Sequence, residues 1–253
     1  MGLDIYAGTL TRYYAGNWKN VVQQWAEANG YTFNKITPDG GAILEETLDP
    51  REVEEAIVGW RDWLLEALAP EGEVYAPWPE DNESPYFTDK PDWVAYGALL
   101  LYIACGIYEE PLLQRVPKNW DFSEHPLIVR AMADEEVKWS LLSGATFWLP
   151  ITGSFWFQCP DPAGNEQTMA TLDGLTSELA KINEMGWQAE EAEILSWSET
   201  EGYPVEKGPG SEGISMTTET DYDTGSLAKF AYAMFYQALQ FAQAQKAAII
   251  LDY

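Results

Sequence analysis

The sequence predicts an α+β protein in which helices pack on a mixed or antiparallel sheet. Three observations point there. A helical stripe of apolar residues follows a proline-opened start at Asp49-Pro50, short aromatic runs cluster between about 137 and 159, and both ends carry apolar, strand-like segments. No internal repeat and no linker between two cores is visible, so residues 1–253 read as one domain. The chain is 46% hydrophobic and 14% aromatic, enough to fold around a core in spite of a net charge of −27.

The elements follow in order. Leu3-Asp4-Ile5-Tyr6-Ala7 alternates with a period of two and predicts a strand, followed by a polar turn and a helix from Asn17 to Asn29 that stops at Gly30. Asp49-Pro50-Arg51-Glu52 combines a cap, proline at the first helical position and an acid in the first turn. Val53, Ile57, Trp60, Leu64 and Leu68 then share one helical face up to Pro70. Residues 71–91 carry four prolines among acids and read as an irregular acidic loop. Asp92 to about Tyr108 is apolar all round, which predicts a central helix, and a shorter helix opens at Pro126 within 124–135.

Val137 to Leu142, Ala145 to Leu149 and Ser154 to Cys159 are separated by turn residues and predict a three-stranded antiparallel meander. Its large apolar side chains point both ways, Phe147 and Leu149 to one face and Trp148 to the other, so both faces should be covered. After the break at Cys159 to Asn165, Met169, Leu172, Leu175, Leu179 and Ile182 give a helix. Residues 198–225 read as a second irregular acidic loop, Ser226 to about Ala247 as the last helix, and Ala248-Ile249-Ile250-Leu251 as a buried terminal strand.

Charge is distributed unevenly. Residues 1–44 are neutral overall, whereas eleven acids from Glu184 to Asp223 face Lys207 alone and eight from Glu66 to Asp92 face Lys90 alone. Such an acidic chain lacks the lysine and arginine that phosphate binding needs, so no nucleic acid is expected as a partner. The longest apolar run, Trp93 to Ile107, has 15 residues, fewer than the ~20 that span a bilayer. With no secretion signal at the N-terminus either, the expectation is a soluble, cytoplasmic protein without membrane contact. Two cysteines, Cys105 and Cys159, and the single His125 supply neither a disulfide framework nor a zinc site, so neither metal nor cofactor is expected.

Several features carry possible chemistry. Gly208-Pro209-Gly210-Ser211-Glu212-Gly213 matches the letters of a dinucleotide loop but lies in an acidic, proline-broken stretch rather than between a strand and a helix. His125 reads as a polar residue at a helix start, and both cysteines as structural. Tyr13, Tyr14 and Trp18 form an aromatic group beside Arg12 in a neutral region, a candidate binding surface. Asp4 and Asp252 each interrupt an apolar strand and so need a partner such as Arg12, or share one site if their strands are neighbours. Glu190, Glu191, Glu193, Glu199 and Glu201 mark the densest acidic surface.

Three functions fit. The first is an acidic, non-enzymatic interaction protein, such as an immunity-type inhibitor of a basic partner, because dense carboxylates steer and select positive surfaces. The second is a carboxylate-dependent hydrolase or carbohydrate-binding protein, favoured by abundant acids and aromatics. The third is acidity as bulk adaptation, with no charge-mediated partner.

Overall fold

The computed structural model describes residues 2–31, 48–117, 120–198 and 221–253. The chain opens with β1 (Asp4–Gly8), α1 (Leu10–Tyr14), α2 (Val21–Ala28) and α3 (Pro50–Leu68). Next come β2 (Phe87–Asp89), α4 (Trp93–Tyr108), β3 (Arg115–Pro117), α5 (Pro126–Ala133), β4 (Phe147–Leu149) and β5 (Trp156–Pro160). The remainder is β6 (Glu166–Thr171), α6 (Leu172–Ile182), α7 (Glu191–Ser196), β7 (Asp221–Asp223), α8 (Thr224–Gln245) and β8 (Ala248–Asp252).

The α+β expectation holds. Six strands form one mixed sheet in the order β2-β1-β8-β4-β6-β5, antiparallel except where β4 and β6 run parallel. β3 and β7 pair separately. Both terminal strands lie inside the large sheet, β1 beside β8. Strand alternation divides two cores. Leu3, Ile5, Ala7, Trp148, Ile249 and Leu251 face a core filled by α4, α6 and α8. Tyr6, Phe147, Leu149, Met169 and Ile250 face a second core with Ile57 and Leu64 of α3 and with Trp78. Covering on both faces is what the bulky, two-sided strands require, and Trp148 is fully buried edge-on to Phe235 at 5.7 Å.

The helices form where caps and stripes direct them. Asp49 accepts from the Arg51 amide at 3.0 Å to start α3. Asp92 accepts from the amides of Val94 and Ala95 to start α4, which is buried along most of its length. Asn20 and Gln23 form a reciprocal capping box at α2, which is why that helix starts after Asn20 rather than at Asn17.

Four expectations need correction. The meander is absent, because Val137 to Leu142 forms turns, not a strand: Ser143 N–H bonds Trp139 O and Ala145 N–H bonds Ser140 O, satisfying the backbone locally. β5 pairs only with β6, while β4 pairs with β6 and β8. Met169 belongs to a strand; the helix starts at Leu172 because Thr171 caps it through Gly174 N–H at 3.0 Å. The polar turn after the first strand contains α1. Of the two acidic loops, 71–91 is irregular only as far as β2 and buries Trp78, and 198–225 lies largely outside the described residues, ending in β7 and the first turn of α8. Among the described residues no helix is long and apolar enough to cross a membrane.

Candidate functional site at the Asp252 end of the sheet

In the β1–β8 pair, Asp4 stands directly opposite Asp252, so the condition on which the two aspartates could meet, adjacent strands, is fulfilled. Alternation puts both on the face of Tyr6 and Ile250. They do not share one partner. Asp4 accepts from Asn20 Nδ2 at 3.2 Å and lies 3.6 Å from Lys90 Nζ, while Asp252 accepts from the Tyr13 hydroxyl at 2.9 Å. Each costly carboxylate is therefore answered separately.

Arg12 is not the partner of either acid. Its Nε donates to Asn17 O at 2.8 Å and its Nη1 to Ser84 O at 2.7 Å, with the guanidinium 4.7 Å from the Tyr86 ring centre. It works with Glu80 to fix α1. Glu80 accepts from the amides of Leu10 and Thr11 and from the Trp78 indole, and burial raises its pKa against the pull of those donors. The Thr9 hydroxyl donates to Asp81 O at 2.6 Å. The segment 78–84 thus clamps a five-residue helix that has too few internal bonds to stand alone.

The clamp aims two adjacent tyrosines into one cavity. Tyr13 donates to Asp252, and Tyr14 and Asp161 line the same cavity. Asp161 opens the β5–β6 turn, where it also accepts from Ala163 N–H at 2.9 Å and Asn165 N–H at 2.8 Å. Burial first, and the nearby carboxylate second, raise both tyrosine pKa values, so both hydroxyls stay protonated and that of Tyr13 donates to Asp252. The cavity of about 310 Å³ is completed by Thr146, Asn165 and Gln167. Its walls carry two acids and no basic side chain, a lining suited to holding a polar ligand through acceptors and hydroxyls.

Of the cavity's lining, Tyr13, Tyr14 and Asp252 are candidates legible in the sequence, whereas Asp161, Asn165 and Gln167 are not. The missed residues read as a chain break, because a tight turn and a cavity wall have the same composition of Asp, Pro, Gly and Asn. Trp18 is half-buried against the second core, stacked on Tyr13 at 5.6 Å and tilted against Tyr6 at 5.1 Å. The N-terminal aromatics thus pack against the core, with Tyr13 and Tyr14 reaching the cavity.

The other candidates lie apart. His125 caps α5 by accepting from Leu127 N–H through Nδ1 at 3.3 Å, and burial lowers its pKa. Cys105 is buried nearby, its thiol pushed up by burial and by Glu110, and its contact is Pro111 O. Glu190, Glu191 and Glu193 are exposed at the start of α7, where acids complement the helix dipole. Glu199 and Glu201 lie outside the described residues. Among the described residues no group of three or more His, Cys, Asp or Glu side chains is placed to hold a metal. Comparison with protein-family models, curated proteins and solved structures finds no match.

Proposed function

We propose that this protein is a non-enzymatic binding protein whose acidic surface captures a basic partner, as an inhibitor of a cationic protein would. The observation that supports the reading is how most of the described cations are used, Arg51, Arg115, Lys138 and Lys246 being exposed. Arg12 and Arg61 hold backbone carbonyls, Lys90 faces Asp4, and Arg130, Lys181 and Lys229 lie over the rings of Tyr108, Trp139 and Trp197. Ion pairs among the described residues are Lys19–Glu27, Arg61–Asp62 and Lys90–Asp4. Glu66, Glu71 and Glu73 on one side of the sheet, and Glu190, Glu191 and Glu193 on the other, are exposed with no cation among the described residues paired to them. Negative potential left uncompensated in this way raises the local concentration of positive ligands. The two free cysteines suit a reducing compartment, so the partner is sought in the cytoplasm.

Fluorescence anisotropy with labelled oligolysine, oligoglutamate and single-stranded DNA tests the reading. Saturable binding to oligolysine alone is expected. Equal binding to all three, or none to oligolysine, contradicts it. A second reading, a carbohydrate-binding or carboxylate-dependent hydrolytic protein, draws on the cavity that Asp161 and Asp252 line.

A further inference from the structure

Resting on the reading just proposed, we infer that the C-terminal end of α3 and the chain that follows it form a docking groove for a basic, amphipathic segment of a partner protein, one that alternates lysine or arginine with leucine-like side chains. The groove has a volume of about 440 Å³. Leu65, Val74 and Tyr75 supply apolar walls, and Asp62, Glu66 and Glu73 supply three carboxylates around them. Arg61 pairs with Asp62 at 2.8 Å and offsets one of these charges, leaving Glu66 and Glu73 to dominate.

Two further observations point to a ligand that is both positive and apolar. α3 ends at the groove with no basic residue in its last turn, so its terminal carbonyls and Glu66 add to one another instead of being balanced. A cation seated there would satisfy the helix end and the carboxylates at once. Trp63 is 52% exposed, three residues before Glu66 and so on a neighbouring part of the same helix surface, and Val74 is 92% exposed. Large apolar side chains left in water beside a charged rim characterise protein-docking surfaces, where buried apolar contacts hold what charge has steered. A free metal ion would make no use of Val74 or Trp63, whereas an alternating basic and apolar segment uses both.

The test compares two labelled peptides of equal length and charge, one alternating Lys with Leu and the other Lys with Ser, against the full-length protein. The Lys-Leu peptide is expected to bind about tenfold more tightly, equivalent to ~1.4 kcal/mol. Val74→Ser, a change at a fully accessible side chain, and Ala69→Trp, which fills the groove, should each abolish most of that advantage, while Glu66→Gln with Glu73→Gln should weaken both peptides. Replacing Glu190, Glu191 and Glu193 by glutamine should leave the Lys-Leu preference intact. If both peptides bind equally, or the preference survives Val74→Ser and Ala69→Trp, the groove inference is overturned while the acidic-capture reading stands. If neither peptide binds, both fall.

Discussion

Glu178 shows how a single buried acid is accommodated. It lies on α6 with 8% of its surface exposed and accepts from Ser140 N–H, from the Ser140 hydroxyl at 2.8 Å and from Leu141 N–H at 3.3 Å. The same hydroxyl accepts from the Trp148 indole at 2.9 Å, so one carboxylate joins α6, the turns at 137–145 and the central strand β4. Burial nevertheless outweighs these donors and raises the pKa of Glu178 above its ordinary 4.5. A carboxyl with a raised folded-state pKa holds its proton better in the folded chain. Its contribution to stability is fully present below pH 4.5 and is lost as pH rises through the folded value. Glu178→Gln removes this titration and misplaces one acceptor, leaving a buried donor unsatisfied at a cost of about 1–3 kcal/mol. Denaturant unfolding should therefore show a deficit relative to the parent that is largest at pH 4 and shrinks toward pH 7. A deficit that grows with pH would mean that the donors, not burial, control this group.

Among the elements, β8 has the most connected position, between β1 and β4 in the middle of the sheet. Ile249 and Leu251 serve one core and Ile250 the other, each almost fully buried. Deleting residues 248–253 separates β2 and β1 from the other strands and exposes core on both faces. Losing three such side chains alone costs ~5–9 kcal/mol at 1.5–3 kcal/mol each, comparable with the whole stability of a domain. Loss of the cooperative thermal transition is expected, and an unchanged melt would show that the tail is not docked. This strand was legible in the sequence, as were α3, α4, α5 and α8, because a long apolar stripe or a capped proline start is a local signal. The strands from 137 to 171 were legible only as apolar material. Val137, Trp139 and Leu141 alternate as a strand would, yet Glu178 and local turns take their backbone, and that competition is decided by residues far along the chain. For the same reason Asp4 and Asp252 were legible only as acids in need of a partner, their opposition depending on which strands pair, and the placing of Tyr14 beside Asp161 depends on the clamp that Glu80 puts on α1.

At the scale of the whole molecule, exposed acids occur on both sides of one sheet, at the end of α3 and at the start of α7, while seven of the eleven described cations are engaged with carbonyls, rings and three acids and Arg51, Arg115, Lys138 and Lys246 are exposed. Self-repulsion of this kind opposes folding, and two well-filled cores offset it. On the function proposed above, the uncompensated charge serves to capture a basic partner. Stopped-flow association with cytochrome c, a folded basic protein whose haem quenches tryptophan, tests it most directly. Between about 0.01 and 0.15 M salt the Debye length falls from ~30 to ~8 Å, and the association rate constant should fall by about tenfold or more. Replacing Glu190, Glu191, Glu193, Glu199 and Glu201 together by glutamine should slow association at low salt and flatten that dependence, with the fold unchanged by circular dichroism. A rate that ignores salt, or a variant that keeps the parent's rate and salt dependence, would contradict the claim.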